Sequence, residues 1–162
     1  MFDYRVALLF GIETYENYGQ LRCVRGDIEG HGSQVGLKAV LEQGLGKHSF
    51  RPVHSVCGRC DAKQLGQSLK QELDGLKASD KNNERTLLFL YFSAHGVTNE
   101  LQQPEDQFFI AASDTESDHP TRGLQFSWLL KQLQDLRTAV VCCIDCCYGG
   151  TAIVGAEHYV QG

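Results

Sequence analysis

The sequence has no apolar run of membrane length. Its longest, Thr86–Ala94 and Thr138–Ile144, fall well short of the roughly 18–20 residues a spanning helix needs. It also lacks the basic segment and apolar core of a secretory leader, opening instead as Met-Phe-Asp-Tyr-Arg. Positive charge is not in excess. Fifteen Lys and Arg against twenty Asp and Glu leave a net charge of −5, which argues against phosphate-backbone binding as the main task. No repeat, low-complexity tract or linker divides the chain. A disulfide framework is excluded as well, because the seven cysteines are odd in number and four of them crowd into Cys142–Cys147. Reduced thiols, a cytoplasmic location, and neither a nucleic-acid nor a membrane partner are therefore expected. What is present is enough for one core: 162 residues, 42% of them hydrophobic, make a single domain over 1–162 and are too few for two.

The apolar pattern alternates between strands and helices. Arg5–Phe10 is a short apolar run stopped by Gly11, and Arg51–Cys57 alternates, so both read as strands. Asp27–Gly46 carries Ile28, Val35, Leu37, Val40, Leu41 and Leu45 at helical spacing, although Gly30, Gly32 and Gly36 weaken it. Leu65, Leu69, Leu73 and Leu76 mark an amphipathic helix. Thr86–Phe92 is apolar throughout, as expected of a strand covered on both faces. Phe108–Ala112 is a further strand, Phe126–Leu136 a helix, and Thr138–Ile144 a last buried strand. Such alternation predicts an α/β domain on a mostly parallel sheet flanked by helices.

In parallel α/β sheets, ligands bind at the carboxyl ends of the strands. Arg22, Arg25 and Asp27 follow the first strand, Ser93-Ala94-His95-Gly96 the central one, and Asp145-Cys146-Cys147-Tyr148-Gly149-Gly150 the last. A thiolate attacks acyl carbons but needs a base for its proton, and an imidazole at a neighbouring strand end can supply that base. Gly96 and Gly149-Gly150 let backbone N–H groups approach a developing oxyanion. Taken singly, a loop histidine and packed thiols would account for these residues without chemistry.

Tyr91-Phe-Ser-Ala-His-Gly96 followed by Asp145-Cys-Cys-Tyr-Gly-Gly150 resembles the two active-site motifs of caspase-like cysteine peptidases, above all the metacaspase and bacterial branches. His95 and Cys147 are 52 positions apart, matching the known caspase separation of about 50. Arg5–Tyr15 resembles the family's opening strand and turn, and Phe109–Asp114 its strand ending in Asp. The resemblance implies a three-layer fold and a cysteine endopeptidase acting on protein or peptide substrates. Aligning Asp145 with the glycine pair gives Cys147 the role of nucleophile and His95 that of general base and acid. The backbone N–H groups of Gly96 and Cys147 would form the oxyanion hole. Cys146 should point elsewhere, and Cys142 and Cys143 read as packing residues.

Asp145 stands where caspases proper carry Gln, as in metacaspases, and Leu21–Asp27 resembles the metacaspase segment that brings a second carboxylate, Asp27, to the pocket. Two carboxylates favour Arg or Lys before the scissile bond. Against this, Asp27 also reads as a helix N-cap, and Arg22 and Arg25 would favour acidic substrates. Cys57-Gly-Arg-Cys60 is a Cys-x-x-Cys without a second ligand pair, so loop thiols are expected there in preference to zinc or redox chemistry. His31, His48, His54, His119 and His158 are isolated. No metal ligand set and no cofactor are expected; calcium enters only through the resemblance, with Asp114, Glu116 and Asp118 forming an acidic loop that lacks a calcium-loop pattern. Fifteen residues follow Cys147, where the family continues with a smaller part that adds strands. The resemblance therefore implies a large-subunit portion with a small-subunit segment of the same precursor as partner. The alternative is an inactive caspase-like interaction scaffold.

Overall fold

The computed structural model describes residues 2–44, 46–103, 106–116, 118–119 and 122–147. In chain order its elements are β1 (Tyr4–Ile12), α1 (Val24–Glu29), β2 (Gly30–His31), β3 (Gln34–Val35) and α2 (Leu37–Ala39), which runs on as a π-turn over Val40–Gly44. After a 3-10 turn at Gly46–His48 come β4 (Val53–Gly58), α3 (Ala62–Lys77), β5 (Thr86–Ser93), β6 (Gly96–Thr98), β7 (Phe108–Ile110), β8 (Leu124–Gln125), α4 (Phe126–Gln134) and β9 (Ala139–Asp145).

Apolar residues on both faces of the strands dictate three layers. β1 turns Leu8, Phe10 and Ile12 to one face, and Ala7 and Leu9 to the other. β5 does the same, with Leu88, Leu90 and Phe92 on the first face and Leu87, Phe89 and Tyr91 on the second. These strands form a parallel sheet of order β4-β1-β5-β9. The helices α3 and α4 cover the first face through Leu65, Leu69, Leu73, Phe126 and Leu129. On the second face lie α1, Leu41 and Phe50, packed over β4, β1 and β5. Each fully buried leucine contributes about 2 kcal/mol to this sandwich. α3 starts at Asp61, whose side chain accepts from the Gln64 N–H at 2.7 Å while Gln64 returns a bond to the Asp61 N–H at 3.1 Å. A small antiparallel sheet, β6-β7-β8, joins the domain beside α4. Among the described residues no helix is long and apolar enough to cross a membrane.

Three expectations from the sequence need correction. Thr138–Ile144 is a strand but not a buried one: no residue of β9 is fully buried, and Val141, Cys143 and Asp145 are exposed. Asp27–Gly46 is not one helix: α1 already begins at Val24 and ends at Gly30, whose φ of 88° is a left-handed conformation that stops it. A two-residue hairpin (β2 and β3) then precedes α2. Phe108–Ala112 is a strand only over Phe108–Ile110, and it belongs to the small sheet, not the parallel one.

Candidate active site

The register of β5 against β9 brings the chemistry together. Ser93 pairs with Asp145, and the Ala94 N–H donates to the Asp145 carbonyl at 3.3 Å. His95 and Cys147 each lie two residues beyond that pair. Both line one cleft of about 710 Å³, together with Asp27, Asp145, Ser93, Cys23 and Arg22.

The loop after β1 builds the surroundings of His95. It is tied down at Glu13, whose N–H donates to the Gly58 carbonyl at 3.0 Å, and at Glu16, whose N–H donates to the Ser113 carbonyl at 2.9 Å. Pinned there, it delivers the buried Tyr15, whose hydroxyl oxygen accepts the His95 backbone N–H at 2.9 Å. The Tyr15 and Tyr18 rings lie 4.7 and 5.6 Å from the imidazole. On its far side the imidazole Nε2 meets the Gly19 carbonyl at 2.7 Å. A carbonyl can only accept, so Nε2 is the donor there, and in the neutral imidazole the lone pair then lies on Nδ1. Burial, above all, raises the Tyr15 phenol far above its usual range, so it stays neutral.

The thiols differ by face. Cys142 and Cys146 pack with Val140 and Ile144 against the α3/α4 core. Burial, as the largest cause, pushes each of these two thiols up to about 12. Cys147 is exposed in the cleft. Cys143 corrects the packing expectation: it is exposed, on the same open face of β9 as Val141 and Asp145. Gly96 has no room for a side chain, since a Cβ there would stand 1.9 Å from the Cys147 carbonyl oxygen and 3.0 Å from the Phe108 ring. The backbones of Gly96 and Cys147 thus meet directly.

Asp27 is not a helix N-cap. Cys23 holds that position, and Asp27 lies within α1, its own N–H donating to the Cys23 carbonyl at 2.9 Å. Its exposed side chain borders the cleft that Asp145 also lines. Asp145 in turn accepts a hydrogen bond at Oδ2 from the Tyr91 hydroxyl at 3.1 Å. Of the two arginines near the pocket, Arg25 is held by Glu13, with its backbone N–H 2.8 Å from Oε1 and its Nε 3.4 Å from Oε2. It faces an adjoining cleft of about 530 Å³, while Arg22 borders both.

The Cys-x-x-Cys motif is split by the sheet. Cys57 is a strand residue of β4 packed on the α1 side, which corrects the loop expectation for it, while Cys60 does lie in the loop between β4 and α3 but is buried on the α3 side. Burial, first among the causes, pushes both up to about 11. The acidic loop is divided too. Asp114 accepts the Ala62 N–H at the start of α3 at 2.8 Å. Ligand atoms of Glu116, Asp118 and His119 lie within 4.8 Å of one another, but Glu116 is already paired with Arg122. His158, Gly149 and Gly150 lie outside the described residues.

Sequence reasoning did not single out Tyr18 or Gly19, and it used Tyr15 and Tyr91 only as parts of resemblances. The spacing of two places Tyr91 on the strand face of Ser93, but its link to Asp145 needs the strand pairing.

A three-layer α/β sandwich with an imidazole and an exposed thiol at adjoining strand ends is the architecture of a class of cysteine peptidases. The caspase-domain family model matches residues 4–161, and the chain belongs to that family of cysteine-type peptidases. No individual curated protein matches it.

Proposed function

We propose that this chain is a cysteine endopeptidase that cleaves after Arg or Lys, with Cys147 as nucleophile and His95 as general base and acid. The observation that carries the reading is that both residues lie two positions beyond the paired Ser93 and Asp145, on one cleft. In the proposed reaction the Cys147 thiol gives its proton to His95 Nδ1, and the thiolate attacks the substrate carbonyl carbon. The oxyanion forms against the backbone N–H groups of Gly96 and Cys147. The imidazolium, its Nε2–H directed to the Gly19 carbonyl, then protonates the leaving amine as the C–N bond breaks. A water, deprotonated by the same Nδ1, hydrolyses the thioester and releases the thiol.

Asp27 and Asp145 would receive the substrate cation, a preference supported by the engagement of Arg25 with Glu13. These steps balance with the thiol, the imidazole and one water. Calcium dependence belongs to the reading only by resemblance, with no residue of this chain assigned to it. A small-subunit segment of the same precursor is proposed beside β9, which among the described residues pairs only with β5 and leaves Val141 45% exposed. A cytoplasmic location goes with this reading, and regulation by processing does too.

Labelling with a peptidyl-arginine electrophile, followed by mass mapping of the modified residue, tests it. Modification of Cys147, lost in His95→Ala, is the expected result. No labelling of the full-length protein under any activating condition would instead favour the scaffold reading.

A further inference from the structure

Tyr91 sits on β5 with its side chain on the face that includes Ser93, and Asp145 occupies the same face of β9. The Ser93–Asp145 pairing makes Tyr91 and Asp145 diagonal neighbours across a parallel ladder, a separation of about 7–8 Å between backbones that a long aromatic side chain can span. The phenol does span it, donating to Asp145 Oδ2 at 3.1 Å. Asp145 is otherwise exposed and borders the cleft that also holds Asp27, Cys147 and His95. The ring of Tyr91 is itself half-buried, packed with Phe89 and Leu87 against the α1-side core, so its hydroxyl is held from below the cleft.

Resting on the reading of this cleft as a pocket for a basic side chain, we infer that Tyr91 is a specificity-positioning residue: it fixes the Asp145 carboxylate so that one oxygen is held by the phenol and the other is presented to the substrate cation. The consequence is chemical. An exposed aspartate freely rotates about its terminal torsion, and a cation must halt that rotation when it binds. With Oδ2 already engaged, the remaining oxygen and Asp27 offer the guanidinium or ammonium group acceptors arranged before it arrives. A neutral donor suits the task, because it does not cancel the negative charge as an arginine would. The phenol stays neutral and therefore stays a donor, since burial first, and then Asp145 and Asp27, push it up to about 12.

The test is a cycle in the full-length active protein: Tyr91→Phe, Asp145→Asn and both together, assayed on matched peptides carrying Arg, Lys or norleucine before the scissile bond. Tyr91→Phe keeps the ring and its packing, and a thermal melt checks that the fold is retained. Expected is a rise of about tenfold in KM for the Arg and Lys peptides, the scale of one hydrogen bond to a charged group. The kcat should change less than about twofold, and turnover of the norleucine peptide should be unaffected. In the Asp145→Asn background, Tyr91→Phe should add nothing, because the bond it removes has lost its charged acceptor.

An unchanged KM in Tyr91→Phe, with Asp145→Asn still impairing the Arg and Lys peptides, overturns the role of Tyr91 and leaves the pocket standing. An equal loss on the norleucine peptide, or an equal loss in the Asp145→Asn background, overturns it as well and marks the tyrosine as merely structural. If Asp145→Asn leaves discrimination between Arg and norleucine intact, the pocket reading itself falls, and the role of Tyr91 falls with it.

Discussion

The backbone N–H of His95 donates to the hydroxyl of Tyr15 at 2.9 Å, so a side chain from the loop after β1 holds the main chain at the end of β5. The same loop provides the Gly19 carbonyl at His95 Nε2 and the Tyr18 ring beside the imidazole. Three contacts from one short segment therefore set the position, tautomer and tilt of the histidine.

Tyr15→Phe should separate these roles. The ring and its contact with His95 remain, while a part-buried N–H loses its acceptor at about 1–2 kcal/mol. A chain of this size should then melt roughly 5 °C lower. If His95 is the base, kcat should fall about tenfold or more with KM little changed, because positioning for chemistry is what is lost. Circular-dichroism melts and steady-state kinetics read the two effects independently.

Gly96→Ala is a sharper perturbation. The new methyl would need the space of the Cys147 carbonyl oxygen, 1.9 Å away, and backbone on that side cannot rotate aside as a side chain can. The segment carrying Cys147 must shift, and a displacement of about 1 Å at a reacting group can lower the rate about 100-fold. The prediction is a loss of that order in kcat/KM with the α/β circular-dichroism signature retained. Near-normal activity would remove Gly96 from the proposed oxyanion site.

Most of the parallel sheet was legible because its strands are apolar on both faces. Arg5–Phe10 and Thr86–Phe92 came within a residue or two of β1 and β5, and Leu65, Leu69, Leu73 and Leu76 are the buried stripe of α3. Asp27–Gly46 misled because Ile28, Leu37 and Leu41 do converge on one core, yet do so from separate short elements joined at Gly30. Periodicity records which residues are buried, not how many turns carry them there. Strand order and register were the missing information at the site. Without the pairing of Ser93 with Asp145, nothing in the sequence connects Tyr91 to a carboxylate 54 residues away.

Thiol chemistry gives a prediction in pH. Cys57 and Cys60 are raised to about 11, and Cys142 and Cys146 to about 12, in each case chiefly by burial. An unfolded thiol ionises near about 8.5–9, so above that pH the unfolded chain releases protons that the folded chain retains. Stability is therefore fully present below about pH 8.5 and should decline as pH rises toward 11–12. Melting temperatures recorded from pH 7 to 10.5 should fall most steeply above 9, and Cys142→Ala should flatten that slope. For activity, Cys147→Ala should lose several orders of magnitude in rate, and Cys146→Ala should retain most of it.

The charge of the pocket yields the last prediction. Asp27 and Asp145 border the cleft, Arg22 borders it as well, and Arg25 is turned to Glu13. Among the described residues, two carboxylates border the cleft against one guanidinium that has no carboxylate partner, so peptides with Arg or Lys before the scissile bond should be turned over far faster than those with Asp. Asp27→Asn and Asp145→Asn should each raise KM for the Arg peptide, with kcat less affected, since what they remove is binding. Added salt should weaken the Arg preference only modestly if the cation is enclosed by the cleft, and strongly if it stays at the rim. Glu13→Gln provides the opposite control. It releases Arg25, which adds positive charge beside Asp27, and should lower the Arg-to-Asp ratio of kcat/KM without touching His95 or Cys147. A native preference for Asp would assign the pocket to Arg22, and Arg22→Ala would then abolish it.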